Sequence, residues 1–289
     1  MAKEKSVSQY DRTLEDAGNV QLLEHVNLTV PDQGIAALFY VTGLGFTRDP
    51  YMDFGLSNMW VNAGDTQFHL PTREAQVLRG HIGVVVPDLN DLKTRLKSVA
   101  PGLDSTLFAW REEGDFIALS CPYGNRIKAY GPGKFPGIDL GIAYVSLQVS
   151  SGTAPGIARF YRQVLGSPVS EESGMARVRM GPHQSLVFAE TNDPIPAYDG
   201  HHIAIYIANF SEPHAKLNEH GLISEESNQH QYRFQKIVDL DTGECLTEIE
   251  HEVRSVSHPL YRRLLVNRNP ATKVQNFRRG NEIFTPSDQ

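Results

Sequence analysis

The sequence has few cysteines, no long apolar run and no excess of positive charge. Its two cysteines, Cys121 and Cys245, form neither a Cys-x-x-Cys pair nor a disulfide framework. No apolar run approaches the roughly 20 residues of a membrane-spanning helix, and the N-terminus lacks the apolar core of a secretory signal. Lys and Arg number 27 against 34 Asp and Glu, a net charge of -7. We therefore expect a cytoplasmic protein that binds neither nucleic acid nor membrane.

One structural unit recurs four times along the chain. Each copy opens with an alternating apolar run typical of a strand, continues into a segment of helical spacing, and ends in three short strand-like runs. The copies begin at His25, His81, Tyr144 and His202, within ranges of roughly 21–73, 79–131, 140–191 and 200–251. Repeats of this kind indicate that one supersecondary unit is reused. The pattern predicts an α+β fold of four βαβββ units, with curved sheets and helices on their outer faces.

The length of 289 residues predicts two domains. The run GPGKFPG at 131–137 has the composition of a linker between them. We expect an N-terminal tail at 1–20, a first domain of two units at 21–134 and a second domain of two units at 135–253. A basic extension, 254–289, follows.

The helices of the first and third units carry similar sequences, FYVTGLG and FYRQVLG. A strand, a helix with this motif and three further strands resemble the vicinal oxygen chelate superfamily over residues 21–255. That superfamily includes glyoxalase I, extradiol ring-cleavage dioxygenases and bleomycin-resistance proteins. The resemblance implies that two units pair into a cupped barrel, and that metal ligands come from the first and last strands of the paired units.

The partition of the units decides which side chains share a cup. The first-strand positions are His25, His81, Tyr144 and His202, and the last-strand positions are His69, Lys128, Val187 and Glu248. Pairing of sequence neighbours leaves neither cup with a complete set of metal ligands. Pairing of the first unit with the fourth gives one cup with His25, His69, His202 and Glu248, and an inner cup without a metal. We therefore expect the outer pairing.

Two histidines and a carboxylate on strands form a site for a divalent metal such as non-haem iron. Alternation places His25 and His202 on the polar faces of their strands. The layout resembles hydroquinone-type extradiol dioxygenases, and the resemblance implies His25, His202 and Glu248 as ligands of a divalent metal, Fe(II) foremost. Glu250 and Glu252 are alternative candidates to Glu248 as the carboxylate ligand. The alternation of side chains along the strand does not distinguish Glu248 from Glu250.

Three side chains are candidates for catalysis beside the metal. His69 or His230 would take a phenolic proton, and Tyr232 would donate a hydrogen bond to the substrate. His69 is also a candidate fourth ligand. The sequence departs from the resembled dioxygenases at Glu24, where they place a second histidine, and at Val238, where they place a tyrosine.

These residues support three hypotheses. The first is an extradiol-type dioxygenase that cleaves a small dihydroxylated aromatic substrate with dioxygen. The second is a metal-dependent isomerase or lyase of the glyoxalase type, which four ligands fit better than three. The third is a metal-free protein that binds or sequesters a small molecule.

The basic extension has two interpretations. It is either a solvated tail or a flap that closes over the cup or grips a neighbouring subunit, and a homo-oligomer stays open. As a flap it would bring Arg262 or Arg263 to an acidic substrate.

Overall fold

The computed structural model describes residues 10–53, 55–263 and 265. It contains the four predicted units, each a strand, a helix and three strands. The first unit comprises β1 (Val20–Asn27), α1 (Gln33–Ala37, continued by a π-helical segment, Leu38–Gly43), β2 (Thr47–Asp53), β3 (Asn58–Ala63) and β4 (Thr66–Pro71). The second comprises β5 (Gly80–Val85), α2 (Leu89–Val99), β6 (Ala109–Glu113), β7 (Phe116–Ser120) and β8 (Arg126–Tyr130).

The second half of the chain repeats this order. The third unit comprises β9 (Gly141–Ser150), α3 (Ala154–Gln163), β10 (Val169–Glu172), β11 (Met175–Met180) and β12 (Gln184–Thr191). The fourth comprises β13 (His202–Ile207), α4 (Ser211–Glu219), β14 (Ile223–Asn228), β15 (Gln231–Val238) and β16 (Cys245–Ser255). None of the helices in the described part of the chain has the length and apolarity that crossing a bilayer requires.

The units pair as outer with outer and inner with inner. The strand order of one eight-stranded sheet is β14-β15-β16-β13-β1-β4-β3-β2, and that of the other is β10-β11-β12-β9-β5-β8-β7-β6. In each sheet the first strands of two units run antiparallel side by side, and each is flanked by the parallel last strand of its own unit. Each sheet thus takes one unit from 21–134 and one from 135–253. The α+β prediction is confirmed.

The repeated Phe-Tyr motif explains the packing of the helices. Tyr40, in the π-helical segment, lies 5.0 Å from the ring of Phe68 on β4, and Tyr161 of α3 lies 5.4 Å from Phe188 on β12. Each tyrosine therefore packs on the last strand of its own unit, in the apolar layer outside the cup. The glycine that ends each motif, Gly45 in the first unit, has a positive φ of 76°, which glycine adopts without a Cβ penalty.

One buried amide joins the two sheets at β1. The Gln184 Oε1 accepts from the Leu23 N–H at 3.0 Å, and its Nε2 donates to the carbonyls of Leu23 and Ile142, both at 2.9 Å. Pairing of β1 with β13 is irregular at this point, because it passes from Leu23↔Ile205 directly to His25↔Ala204. Such a β-bulge leaves backbone groups without ladder partners, and Gln184 satisfies those of Leu23.

The inner cup is filled with aromatic side chains. The Tyr144 Oη lies 3.0 Å from that of Tyr130 and 3.2 Å from the His81 Nε2. A Cβ at Gly83 would lie 2.0 Å from the Tyr144 ring, so glycine allows this ring to cover the strand. Phe135 packs into the same cluster. Among the described residues, the three histidines that converge as a candidate metal group lie in the outer cup.

The first part of the C-terminal extension docks on the outer sheet. Tyr261 packs 4.9 Å from the ring of Tyr206, and the buried Arg263 pairs with the carboxylate of Asp49. The guanidinium of Arg262 lies over Tyr261, 5.6 Å from its ring centroid. Arg263 is thus engaged within the protein rather than turned towards a substrate. The rest of the extension, and the tail before residue 10, lie outside the described residues.

Replacement of Gln184 by methionine should destabilise the protein by about 1–3 kcal/mol, since the buried Leu23 N–H and two carbonyls would lose their partner. The measurement is urea-induced unfolding of Gln184→Met, with Gln163→Met at an exposed position of α3 as the control. Equal free energies of unfolding for the two variants would contradict this role.

Candidate metal centre

Three histidines from three adjacent strands meet in the outer cup. The ring nitrogens that His25, His69 and His202 offer lie within 4.8 Å of one another. The register explains this arrangement, because Asn27 of β1 pairs with His69 on one side and with His202 on the other. His25 lies two residues earlier on β1 and so faces the same side of the sheet. The structure thus brings together two predicted ligands and the candidate base, His69.

The Nε2 atoms of all three histidines are buried and have no hydrogen-bond partner among the described residues. A buried polar atom without a partner costs about 1–3 kcal/mol, so three of them in one cup need an explanation. Burial holds the pKa of His25 below its usual value. Burial and the two neighbouring histidines hold that of His69 well below it. Neutral imidazoles with free Nε2 lone pairs are the form that binds a divalent metal.

Glu24 orients His25 from the side opposite the cluster. Its Oε2 lies 3.0 Å from the His25 Nδ1, and acceptance of the Nδ1–H leaves Nε2 as the lone-pair nitrogen. The β-bulge lets these consecutive residues contact each other inside the cup. Burial raises the pKa of Glu24, but the charge of Arg254 and the hydrogen bond from His25 outweigh it and lower that pKa to about 2. Glu24 is therefore charged at neutral pH.

His69 is held by a ring stack and an amide. Its ring stacks on Trp60 with 3.9 Å between the centroids, and its Nδ1 lies 2.6 Å from the side-chain nitrogen of Asn27. An amide turned by 180° presents its oxygen to Nδ1. In that orientation Nδ1–H would be the donor, and Nε2 of His69 would carry the free lone pair.

Glu252 is the carboxylate that lies beside the Nε2 of His202. Its Oε2 lies 3.5 Å from the His202 Nε2, an ion-pair contact rather than a hydrogen bond. Burial raises the pKa of Glu252, but Arg254 and the neighbouring histidines bring it well below its ordinary value. The side chain also pairs with Arg233. An ionised carboxylate beside three imidazoles suits a divalent cation.

The strand register gives independent support for Glu252. On β1 the residue two places after His25 pairs with His69, and on β13 the residue two places after His202 pairs with Glu252. His69 and Glu252 therefore occupy equivalent places in the two units. This pseudo-twofold relation makes Glu252 a candidate fourth ligand beside the three histidines, whose nitrogens alone form the group within 4.8 Å.

The structure does not bring Glu248, the predicted carboxylate ligand, to the histidines. Glu248 lies nearer the start of β16 than Glu252, accepts a 2.9 Å hydrogen bond from Gln235 and lines a separate cavity of about 220 Å³ beside Arg79. Glu248 shares a face of β16 with Glu250 and Glu252, as the alternation of side chains along the strand predicted. The register places Glu252, rather than Glu248, beside the first strand of the unit at this level. The local motif around Glu248 therefore pointed to a position four residues too early in the sequence.

His230 and Tyr232 also lie away from the cluster. Tyr232 packs against Phe210 and His214, 4.9 and 5.0 Å from their rings, on the side of α4. His230 precedes β15 and lies 6.2 Å from His258. Alternation along β15 turns Arg233, rather than Tyr232, into the cup. Sequence reasoning missed Arg233, although the apolar pair Tyr232 and Phe234 marked the opposite face.

A cavity of about 310 Å³ opens beside the histidines. His69 and His202 form part of its wall, and Arg73, Arg233 and Glu250 contribute charged groups. Glu250 is held by Arg233 and lies 3.5 Å from the His202 Nδ1. A small molecule in this cavity would contact both the metal ligands and these charged side chains.

Comparison with known proteins identifies the fold. No family model and no curated protein matches the sequence. Glyoxalase I from Zea mays is similar in structure, with a TM-score of 0.56 at 13% identity over 82% of this chain and 93% of that chain. A putative dioxygenase from Bacillus subtilis gives a TM-score of 0.53 at 14% identity over 82% and 86%. The chain shares the fold of these two proteins, as the resemblance in the sequence implied. At these identities the likeness establishes the fold alone.

We expect one divalent ion per chain. Replacement of His25 or His202 by alanine, or of Glu252 by glutamine, should weaken binding strongly, because each change removes a ligand. The measurement is calorimetric titration of chelator-treated protein with Zn(II), supported by the fluorescence of Trp60 stacked on His69. Glu248→Gln is the matched control. Loss of metal in Glu248→Gln with full binding in Glu252→Gln would reverse the assignment.

Glu24→Gln should weaken metal binding by about 10–100-fold, as expected when the group that orients a ligating histidine is replaced. The same titration measures this, with His81→Ala in the inner cup as the control. An unchanged affinity in Glu24→Gln would show that His25 does not depend on this carboxylate.

Proposed function

We propose that the protein is a metal-dependent isomerase or lyase that acts on a small molecule with two adjacent oxygens. The observation that carries this proposal is the position of His69, whose free Nε2 joins those of His25 and His202. With Glu252 the donors number four. Four protein ligands of an octahedral ion leave two positions, the number that two vicinal substrate oxygens fill.

The remaining chemistry falls to residues of the cavity wall. A divalent ion held here would act as a Lewis acid that stabilises negative charge on the substrate oxygens. Glu250 is the carboxylate in the cavity wall beside His202. It would take a proton from the carbon next to a carbonyl group and return it to the neighbouring carbon. Arg233 pairs with Glu250 and fixes its orientation.

A second candidate is the Fe(II)-dependent extradiol dioxygenase. It is favoured by the pairing of Glu252 with Arg233 and Arg254. If Glu252 stays with these arginines, three histidine ligands leave one position more than two substrate oxygens need, and dioxygen would be the co-substrate. This candidate ranks second because His230, one of its two candidate bases, and Tyr232, its candidate hydrogen-bond donor, lie outside the cavity wall. A metal-free pocket ranks last, since it leaves three buried nitrogens without partners.

The two candidate enzymes differ in two measurable ways: only the isomerase or lyase takes up solvent hydrogen at carbon, and only the dioxygenase consumes oxygen. Protein loaded with Zn(II), Mn(II), Ni(II) or Fe(II) is incubated with α-hydroxycarbonyl compounds and hemithioacetals in D₂O, and deuterium entry at carbon is followed by NMR. The isomerase or lyase is expected to incorporate deuterium without oxygen uptake. Oxygen uptake equal to the loss of a catechol or hydroquinone, without such exchange, would establish the dioxygenase instead.

Glu250→Gln should slow the proton transfer by about 10²–10⁴-fold, the usual contribution of a general base. Its metal content should stay at the wild-type level, because Glu250 is not among the four proposed ligands. The measurement is the rate of deuterium entry together with metal analysis, and Glu248→Gln is the control. A wild-type rate in Glu250→Gln would remove Glu250 from this role.

A further inference from the structure

Arg73 is the charged residue of the cavity wall that the proposed chemistry does not use. It lies two residues beyond the end of β4, the strand that carries His69, and lines the same cavity. Four residues of extended chain span roughly 13 Å at most, so its backbone stays near the cluster. The side chain is exposed, and its guanidinium makes no hydrogen bond or ion pair with any other described residue.

The other charges of the cavity wall are already paired. Arg233 holds Glu250 and Glu252, and Arg254 holds Glu252 and Glu24. Arg73 therefore differs from both arginines, because its five N–H donors remain available to a ligand. The protein as a whole is negatively charged, with a net charge of -7. An arginine beside the candidate metal site, without an ion-pair partner in the described part of the chain, therefore has the opposite sign to the protein's overall charge.

The backbone that carries Arg73 is fixed on both sides. The Arg73 N–H donates to the Val30 carbonyl at 3.1 Å, and the Gln76 N–H donates to the Thr29 carbonyl at the same distance. The side chain of Gln76 accepts from the Thr29 N–H at 3.0 Å and donates to the Asp199 carbonyl at 2.8 Å. The loop is thus tied to the segment that follows β1 and to the segment before β13. A preorganised donor loses less entropy when it binds.

We propose that Arg73 binds a carboxylate of the substrate, at the end of the molecule away from the two metal-binding oxygens. A planar guanidinium pairs with a carboxylate through two parallel hydrogen bonds, which gives direction as well as attraction. The substrate class is then a small acid with two vicinal oxygens and a separate carboxylate. This inference rests on the proposed function for the position of the vicinal oxygens. Arg73 takes the role that the sequence suggested for Arg262 or Arg263.

The test compares two ligands that differ in the carboxylate. Zn(II)-loaded protein is titrated by calorimetry with 3,4-dihydroxyphenylacetate and with 4-methylcatechol, which keeps the vicinal oxygens but lacks the acid. Wild-type protein is expected to bind the acid more tightly. Arg73→Gln should weaken binding of the acid by about 10–100-fold, the range of a charge-assisted pair. Its binding of 4-methylcatechol should stay within about twofold of wild type, and Arg73→Lys should recover part of the lost affinity.

Arg177→Gln is the matched control, because it removes one exposed positive charge from the inner sheet. It should leave both affinities unchanged. Equal wild-type affinities for the two ligands, undetectable binding of the acid, or equal losses for both in Arg73→Gln would each overturn the assignment. Binding is measured without turnover, so failure of the proposed reaction leaves this result readable. Conversely, an active enzyme indifferent to Arg73 would refute the carboxylate contact alone.

Discussion

The antiparallel pairing of β1 with β13 is the contact on which the outer cup depends. It joins the first unit to the fourth and sets Asn27 opposite His202. The parallel pairing of β1 with β4 then brings His69 to the other side of Asn27. Because side chains alternate with a period of two, a slip of one residue in either pairing would turn a histidine out of the cup. The irregularity at Glu24 is held in place by Gln184, which satisfies the freed backbone groups of Leu23.

The charge of the ion-paired side chains around the cup is balanced to within one unit. Glu24, Glu250 and Glu252 supply three negative charges, and Arg233 and Arg254 supply two positive charges, so the sum is -1. Buried charges are tolerated when they are paired and hydrogen-bonded. A divalent ion among the histidines would turn the sum to +1. A dianionic substrate, chelating through one end and paired with Arg73 at the other, would then meet a site of opposite sign.

The repeats revealed the fold because the same alternation and the same Phe-Tyr helix recur in the sequence. The outer pairing followed from the chemistry of the first-strand and last-strand residues, which also singled out His25 and His202. The carboxylate did not follow, because Glu248, Glu250 and Glu252 share one strand face and only the register between β13 and β16 distinguishes them. Register depends on loop lengths and on bulges, and neither has a local sequence signature.

Tyr232 shows a different kind of error. Its phenol suggested chemistry, but its place beside Phe234 on β15 assigned it to the apolar face. The alternation of that strand contained the answer, and it also identified Arg233 as the inward residue. The chemical character of a side chain was thus a weaker guide than the face on which its strand places it.

The nesting of the units has a consequence for synthesis of the chain. Strands β5 to β12 form a contiguous inner sheet, whereas the outer sheet needs both β1 and β16. During synthesis the inner sheet can form before the fourth unit has been made. Until then, the edge of β1 that pairs with β13 and the histidines of the first unit lack their partners. Long-range pairings of this kind form slowly and leave strand edges exposed to aggregation. Because Glu252 lies on β16, the last strand of the fourth unit, the proposed metal site would be complete only after all four units have been synthesised.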